Sequence, residues 1–298
     1  NRKVQDIQFS YAILQSLKDD KSVFVRKAVA RAFGNIGEND LTGAILQRLQ
    51  NDPDYNVRIA VAKACGNIGD NNSTRAILQS LQNDPDPFVR IAVAEACGNI
   101  GENDWTGAIL QRLQNDTDSR VRIAVAEACG NIGDKAWTRD ILQILQNDTD
   151  DDVRQAVAEA CGNIGENNST RAILQSLKDD TYAFVRQAVA EACGNIGENE
   201  WTRDILQILQ NDTDDYVRIA VVVAFGNIGE NDLTGAILQS LQNDTDDYVR
   251  IAIAKACGNI GDNNSTRAIL QSLQNDPDPF VRIAVAESFG NIGENDVT

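Results

Sequence analysis

The string Gly-Asn-Ile-Gly recurs at Gly34, Gly66, Gly98, Gly130, Gly162, Gly194, Gly226, Gly258 and Gly290, each 32 residues after the last and without insertion. A fixed period of this size calls for a stacked array of small supersecondary units, because no one unit is long enough to close a core of its own. Counted from Phe9, the repeats are 9–40, 41–72, 73–104, 105–136, 137–168, 169–200, 201–232, 233–264 and 265–296, and Val297-Thr298 open another. The absence of an initiator Met and the ending inside a repeat are expected of a piece of a longer chain. Only 5% of the residues are aromatic, so the core must be built from Ala, Val, Ile and Leu, which suits closely packed short helices rather than a sandwich or barrel.

Each repeat reads as two helices. In 73–104, Ile77, Leu78 and Leu81 form one apolar stripe, and Val89, Ala92, Val93, Ala96, Cys97 and Ile100 form another at helical spacing. Asn72 is the expected cap of the first helix, and Asp86 followed by Pro87 the expected start of the second. Tyr182 breaks the second pattern, which moves the expected start there to Thr181. Gly101 is placed as a left-handed residue ending the second helix, and Gly98 lies inside that helix, where a missing side chain lets backbones approach. A dinucleotide loop is excluded, since Gly-Asn-Ile-Gly has neither the spacing nor the preceding strand.

Two such helices cannot bury both stripes alone, so the repeats are predicted to stack into an all-α solenoid of nine helix pairs. At ~10 Å per layer the array would extend about 90 Å as one elongated domain over residues 1–298. Two columns are the same in all nine repeats. One is Asp20, Asp52, Asp84, Asp116, Asp148, Asp180, Asp212, Asp244 and Asp276; the other, six residues on, is Arg26, Arg58, Arg90, Arg122, Arg154, Arg186, Arg218, Arg250 and Arg282.

A turn Asp, then Val-Arg, an Ala-rich helix and Gly-x-Ile-Gly-[Asp/Glu], recurring over 9–296, resembles the HEAT-like repeat of the phycobilisome-lyase type. The resemblance implies stacked helix pairs, second helices lining a concave side, and a ladder of the Asp and Arg columns between neighbouring repeats. Asp148, Arg154, Asp180 and Arg186 would be its central rungs. The planar guanidinium suits that role, since it can bond a turn carboxylate and carbonyls of the next repeat together; terminal Arg26 is expected to matter less than Arg154. Gly43, Gly107, Gly235, Arg75 and Arg139 stand where family members frequently have Pro.

Catalytic and metal chemistry find little to use. Cys65, Cys97, Cys129, Cys161, Cys193 and Cys257 share one column, alternating with Phe33, Phe225 and Phe289, and therefore read as core filler. Stacked ~10 Å apart, they are too distant for disulfides, and free buried thiols imply a reducing, cytoplasmic setting. With no two cysteines close in sequence and no His in the chain, neither a zinc site nor a His-based catalytic group is expected. The Asp-rich turns 147–152 and 211–215 lack the glycine and distal glutamate of a calcium loop and read as helix caps. Trp105, Trp137 and Trp201 read as edge packing. The expectation is thus a non-enzyme without metal or cofactor. A formal net charge of −17 opposes contact with nucleic acid and anionic membranes, and neither is expected as a partner.

Function should lie where equivalent residues differ. On the outward face of the second helix, one column holds Phe24, Asn56, Phe88, Arg120, Asp152, Phe184, Tyr216, Tyr248 and Phe280; the next is mostly Ile, including Ile91, Ile219, Ile251 and Ile283. The third is mostly charged, and Val223 replaces the glutamates Glu95, Glu127, Glu159, Glu191 and Glu287 there. Apolar side chains in water-facing columns mark a binding surface. Phe88, Ile91, Phe184, Tyr216, Ile219, Val223, Tyr248, Ile251, Phe280 and Ile283 are therefore the candidate partner-binding residues. The ridge is expected to be continuous in the C-terminal half, on the concave face, rimmed by Asp214, Asp215, Asp246 and Asp247. This chemistry favours another protein carrying an apolar segment flanked by basic residues; the alternative is a pigment-lyase-like or other small-ligand-binding protein.

Overall fold

The computed structural model describes residues 12–37, 39–229 and 232–295, and among them every regular element is a helix. Residues 12–17 form α1. The remaining first helices are α3 (Asp40–Leu49), α5 (Asn72–Leu81), α7 (Asp104–Leu113), α9 (Ala136–Leu145), α11 (Asn168–Leu177), α13 (Glu200–Leu209), α15 (Asp232–Leu241) and α17 (Asn264–Leu273). The second helices are α2 (Val23–Ile36), α4 (Tyr55–Ile68), α6 (Pro87–Ile100), α8 (Ser119–Ile132), α10 (Asp151–Ile164), α12 (Ala183–Ile196), α14 (Asp215–Ile228), α16 (Asp247–Ile260) and α18 (Pro279–Asn295). The chain divides into two compact units, Asn1–Leu145 and Gln146–Thr298. Within each, second helices pack closely on the second helices of adjacent repeats, and first helices touch their counterparts more sparsely. The chain is thus an α-solenoid of helix-pair repeats. Among the described residues no helix is long and apolar enough to cross a membrane.

The first helix starts one residue earlier in the cap than the sequence suggests. Asn71, not Asn72, is the N-cap: its side-chain oxygen accepts from the Thr74 amide at 2.9 Å, and the Asn71 amide donates back to Thr74 Oγ1 at 3.1 Å. The Thr74 hydroxyl also donates to the Gly69 carbonyl at 2.8 Å. This reciprocal box explains why threonine recurs at a buried position; it ties the first helix to the end of the preceding one. Asp86 caps α6 as expected, accepting from the Phe88 amide at 2.8 Å, with Pro87 at N1. At Tyr182 the start does not shift: Tyr182 itself is the N-cap, without a side-chain bond.

Gly101 ends α6 at φ 88° and ψ −156°. The positive φ was expected, but the extended ψ places it in the region open to glycine alone rather than in the left-handed helical one. Its amide still donates to the Cys97 carbonyl at 3.1 Å. The core is small and aliphatic: Val89, Ala92, Val93, Ala96 and Cys97 of α6 are buried, as are Ile77, Leu78 and Leu81 of the neighbouring α5. Full burial of each larger side chain contributes about 1.5–3 kcal/mol, and much of it is available only when the neighbouring repeat covers the other side.

The invariant Asp and Arg columns stitch neighbouring repeats. Arg154 Nε donates to Asp180 Oδ2 at 2.6 Å and Nη2 to Asp180 Oδ1 at 3.0 Å, while Nη1 donates to the Asp148 carbonyl at 2.7 Å. The carboxylate therefore comes from the following repeat, but the carbonyl belongs to the arginine's own turn. Arg186 repeats the pattern on Asp212 and the Asp180 carbonyl. Arg218 and Arg250 continue it in the second unit, as do Arg26, Arg58 and Arg90 in the first. Each aspartate has a further task, as Asp180 Oδ1 also accepts the Tyr182 amide at 2.9 Å. Burial works against the charge on Asp180, and the Arg154 fork with the Tyr182 amide more than offsets it, so its pKa lies below the ordinary value. The same bond holds the Arg154 pKa above its usual one.

Candidate functional site

The ring column is the second residue of each second helix, immediately before a valine that is buried in every one but α2, where Val25 is half-buried. Val217, Val249 and Val281 are fully buried, whereas Tyr216, Tyr248 and Phe280 are 59%, 65% and 65% exposed. Phe184 in α12 is similarly open. Phe88 is less so, at 45%, because its ring is partly occupied. The guanidinium of Arg120, from the next repeat, lies 4.6 Å from the ring centroid, and it is held there by two bonds to Asp118, at 3.0 and 2.7 Å. The ladder arginine Arg154 likewise lies 5.5 Å from the Tyr182 ring.

Two adjoining grooves run along the second helices of the C-terminal unit. The first, about 360 Å³, lies between α14 and α16 and is lined by Ile219, Val223, Tyr248 and Ile251 with Lys255. Val223 is 46% exposed, and with a valine there no carboxylate enters this groove. The second, about 490 Å³, lies between α16 and α18 and shares Tyr248, Ile251 and Lys255, adding Phe280 and Ile283. Asp247 and Asp278 stand at one end of it and Glu287 at the other.

The structure therefore brings together Ile219, Val223, Tyr248, Ile251, Phe280 and Ile283 of the expected ridge. Tyr216 and Phe184 are exposed on the same helix series but line neither groove, and Phe88 and half-buried Ile91 lie in the first unit. Of the expected acidic rim, Asp214 and Asp246 are engaged as caps of Tyr216 and Tyr248, and Asp247 reaches the groove. Lys255, shared by both grooves, was missed as a candidate residue. Its signal was a change of sign, lysine in a column dominated by glutamate.

The other candidates are accounted for by packing and capping. All six cysteines are free and buried; for Cys129 burial pushes the thiol pKa up to about 12, and the same value applies to Cys161. A thiolate nucleophile is thereby disfavoured at neutral pH. Native protein is expected to leave these thiols unlabelled by an aromatic disulfide reagent at pH 8 over minutes, with all six reacting in denaturant; rapid labelling of any one in native protein would identify an accessible thiol. In the Asp-rich turn, Asp150 accepts the Asp152 amide and Asp148 the Asp150 amide. Trp105 and Trp201 are buried, and Trp105 Nε1 donates to Asp70 at 3.0 Å.

A family model described as HEAT repeats matches residues 42–106, 106–194, 138–226 and 202–290. The chain belongs to the HEAT repeat family. The match is to HEAT repeats in general and does not single out the phycobilisome-lyase type. Comparison with curated protein sequences gives no match. Among solved structures, this HEAT repeat chain is similar to YibA of E. coli, with a TM-score of 0.57 at 20% identity, covering 93% of this chain and 98% of that one. It is also similar to Kap121p, with a TM-score of 0.61 at 15% identity, where 95% of this chain corresponds to 37% of that one. At such identities these likenesses concern the fold.

Proposed function

We propose that this HEAT repeat chain is a non-enzymatic docking scaffold that holds another protein on the second-helix face of its C-terminal unit. The observation that carries the reading is the pair of adjoining grooves, floored by Ile219, Val223, Ile251 and Ile283 and walled by Tyr248 and Phe280. Exposed rings and aliphatic side chains over two neighbouring grooves are costly in water and favourable under a partner. Support for placing this face on the inner, concave side comes from the closer packing of second helices than of first helices within the unit, since the more closely spaced layer of a curved two-layer array lies inside.

A partner segment with apolar side chains for the grooves and basic residues for Asp247 and Asp278 fits this surface. Tyr248→Asp and Phe280→Asp are expected to abolish capture of the partner on the immobilised chain, with helical signal and melting temperature nearly unchanged because both rings line the grooves and are exposed. Mass spectrometry of the retained material separates the classes, since a folded protein, a chromophore and RNA give different spectra. A small molecule retained by the wild type and lost from Tyr248→Asp would replace the protein-docking reading by the small-ligand one. Unfolding of both variants would make the rings packing residues.

A further inference from the structure

The first unit contains its own occupied version of a site that stands open in the second. Arg120 lies over the Phe88 ring and pairs with the Asp118 carboxylate. Five repeats later, the ring position is Tyr248, the carboxylate is Asp278, and the position of the arginine is taken by Phe280. From this we infer that Tyr248 and Asp278 form a guanidinium seat, and that the partner's anchoring residue there is an arginine. The inference rests on the docking reading above and gives its partner a specific chemistry.

The geometry supports each part of the seat. Tyr248 and Phe280 face the same groove, so a planar cation entering it meets aromatic surface on two sides, and the attraction of a cation to a ring face strengthens as water is excluded. Asp278 Oδ1 accepts the Phe280 amide at 2.7 Å and the Val281 amide at 3.2 Å. Asp118 Oδ1 accepts the Arg120 amide in the same way and still takes the guanidinium, so capping leaves the carboxylate competent for a fork. Asp247 lines the same end of the groove. Lys255 lies seven residues on from Tyr248 in the helix, about 10 Å along its axis, and is matched there by Glu287 on the facing helix. The end that holds the rings is therefore the acidic one, while the adjoining groove offers Val223 and Ile219 to an apolar side chain. A guanidinium fits this arrangement better than an ammonium, since it can stack and pair with a carboxylate at once.

The test uses the full chain with two peptides, Ac-Leu-Ala-Ala-Arg-amide and its citrulline counterpart, which keeps the planar shape and removes the charge. Binding is followed on the ring resonances of Tyr248. The arginine peptide is expected to bind about tenfold more tightly than the citrulline one. Asp278→Asn, which retains a good helix cap, should remove that preference, and Phe280→Arg, which supplies the guanidinium from the position Arg120 holds, should block the site. Equal binding of the two peptides, an unchanged preference in Asp278→Asn, or no binding of either peptide overturns the seat. Partner capture that is lost in Tyr248→Asp and Phe280→Asp while the peptides bind equally overturns the seat alone. Capture that survives those variants, alongside selective arginine binding at Tyr248, overturns the docking reading and supports the seat.

Discussion

Arg154→Ala is expected to lower the unfolding free energy by about 2–4 kcal/mol, among the larger effects available to a single substitution in this chain. The side chains of the pair are 11% and 9% exposed, so the loss is that of a largely but not wholly desolvated fork. Removal of the arginine leaves Asp180 with the Tyr182 amide and takes away the Nη1 bond to the Asp148 carbonyl. Arg154→Lys keeps the charge but not the two-pronged geometry and should fall between. The weak control is Arg282, which is exposed and bonds the carbonyls of Asp276 and Pro277; Arg282→Ala should cost under about 1 kcal/mol. Arg26 is not that control, although its position near the start of the repeats suggested it. It makes the same fork, to Asp52 at 2.6 and 2.9 Å, and bonds the Asp20 carbonyl at 2.8 Å. Denaturant melts of Arg154→Ala, Arg154→Lys and Arg282→Ala decide the matter, and equal small effects at Arg154 and Arg282 would reduce the ladder to surface charge.

The same rungs set the acid limit of the fold. Asp52, Asp116, Asp180, Asp212, Asp244 and Asp276 all have pKa values below the ordinary one in the folded chain. A depressed carboxylate contributes stability that is present above its unfolded pKa, about 3.9, and is lost as pH falls through the folded value. Stability is thus expected to hold from neutrality to about pH 5 and to fall below about pH 4. The net charge of −17 acts in the opposite sense, because acidification relieves repulsion among carboxylates. At 0.15 M salt that repulsion is screened beyond about 8 Å, whereas the ladder contacts are direct, so the ladder governs the acid limb. In Arg154→Ala, Asp180 loses the partner that offsets its burial, and the acid slope should shrink by roughly one proton.

The fold was legible in the sequence because each structural demand recurs nine times. The Gly-Asn-Ile-Gly string, the Asp-Pro and Asp-Asp starts and the two stripes place both helices, and the alternation of Cys with Phe in one column marks it as core. What was not legible depends on which repeat a side chain reaches. The resemblance implied the rung between neighbouring repeats that Arg154 and Asp180 make, but put the carbonyl in the next repeat as well, whereas Arg154 keeps the Asp148 carbonyl of its own turn. The cap of the first helix was misplaced by one position since asparagine or aspartate occupies both candidates, as at Asn71 and Asn72; only the Thr74 hydroxyl decides between them. On the candidate surface the ring column was visible, yet the contact of Arg120 with Phe88 was not. Within that column Arg120 reads from sequence only as a polar replacement of the ring, when in the first unit it supplies a partner for the ring before it. Lys255 is hidden for a related reason: its column also carries Arg31 and Lys63, so a change of sign does not by itself mark the grooves.

Gly162→Ala and Gly290→Ala are expected to act in opposite directions despite occupying the same place in the repeat. A Cβ on Gly162, in α10, would stand 3.0 Å from the Cα and 3.2 Å from the Cβ of Ala192 in α12. These atoms belong to the backbone or are fixed to it, so relief requires the helices to part by several tenths of an ångström. The parting would loosen the valine and alanine side chains packed between them. Helix propensity alone favours alanine by about 1 kcal/mol, but overpacking of a close crossing costs about 1–3 kcal/mol, and the loosened packing around it adds to that side. Net destabilisation of about 1–2 kcal/mol is the expected result. At Gly290 an added Cβ meets nothing within 4 Å, so only the propensity term remains, and stabilisation of about 0.5–1 kcal/mol should follow. Ala192→Gly introduced with Gly162→Ala returns the space to the crossing and should recover part of the loss, which a double-mutant cycle isolates as coupling between the two helices. Should both single variants prove stabilising, the second helices have slack at their crossing, and the close approach that allows the ladder arginine of one repeat to reach the aspartate of the next must be set by the turns instead.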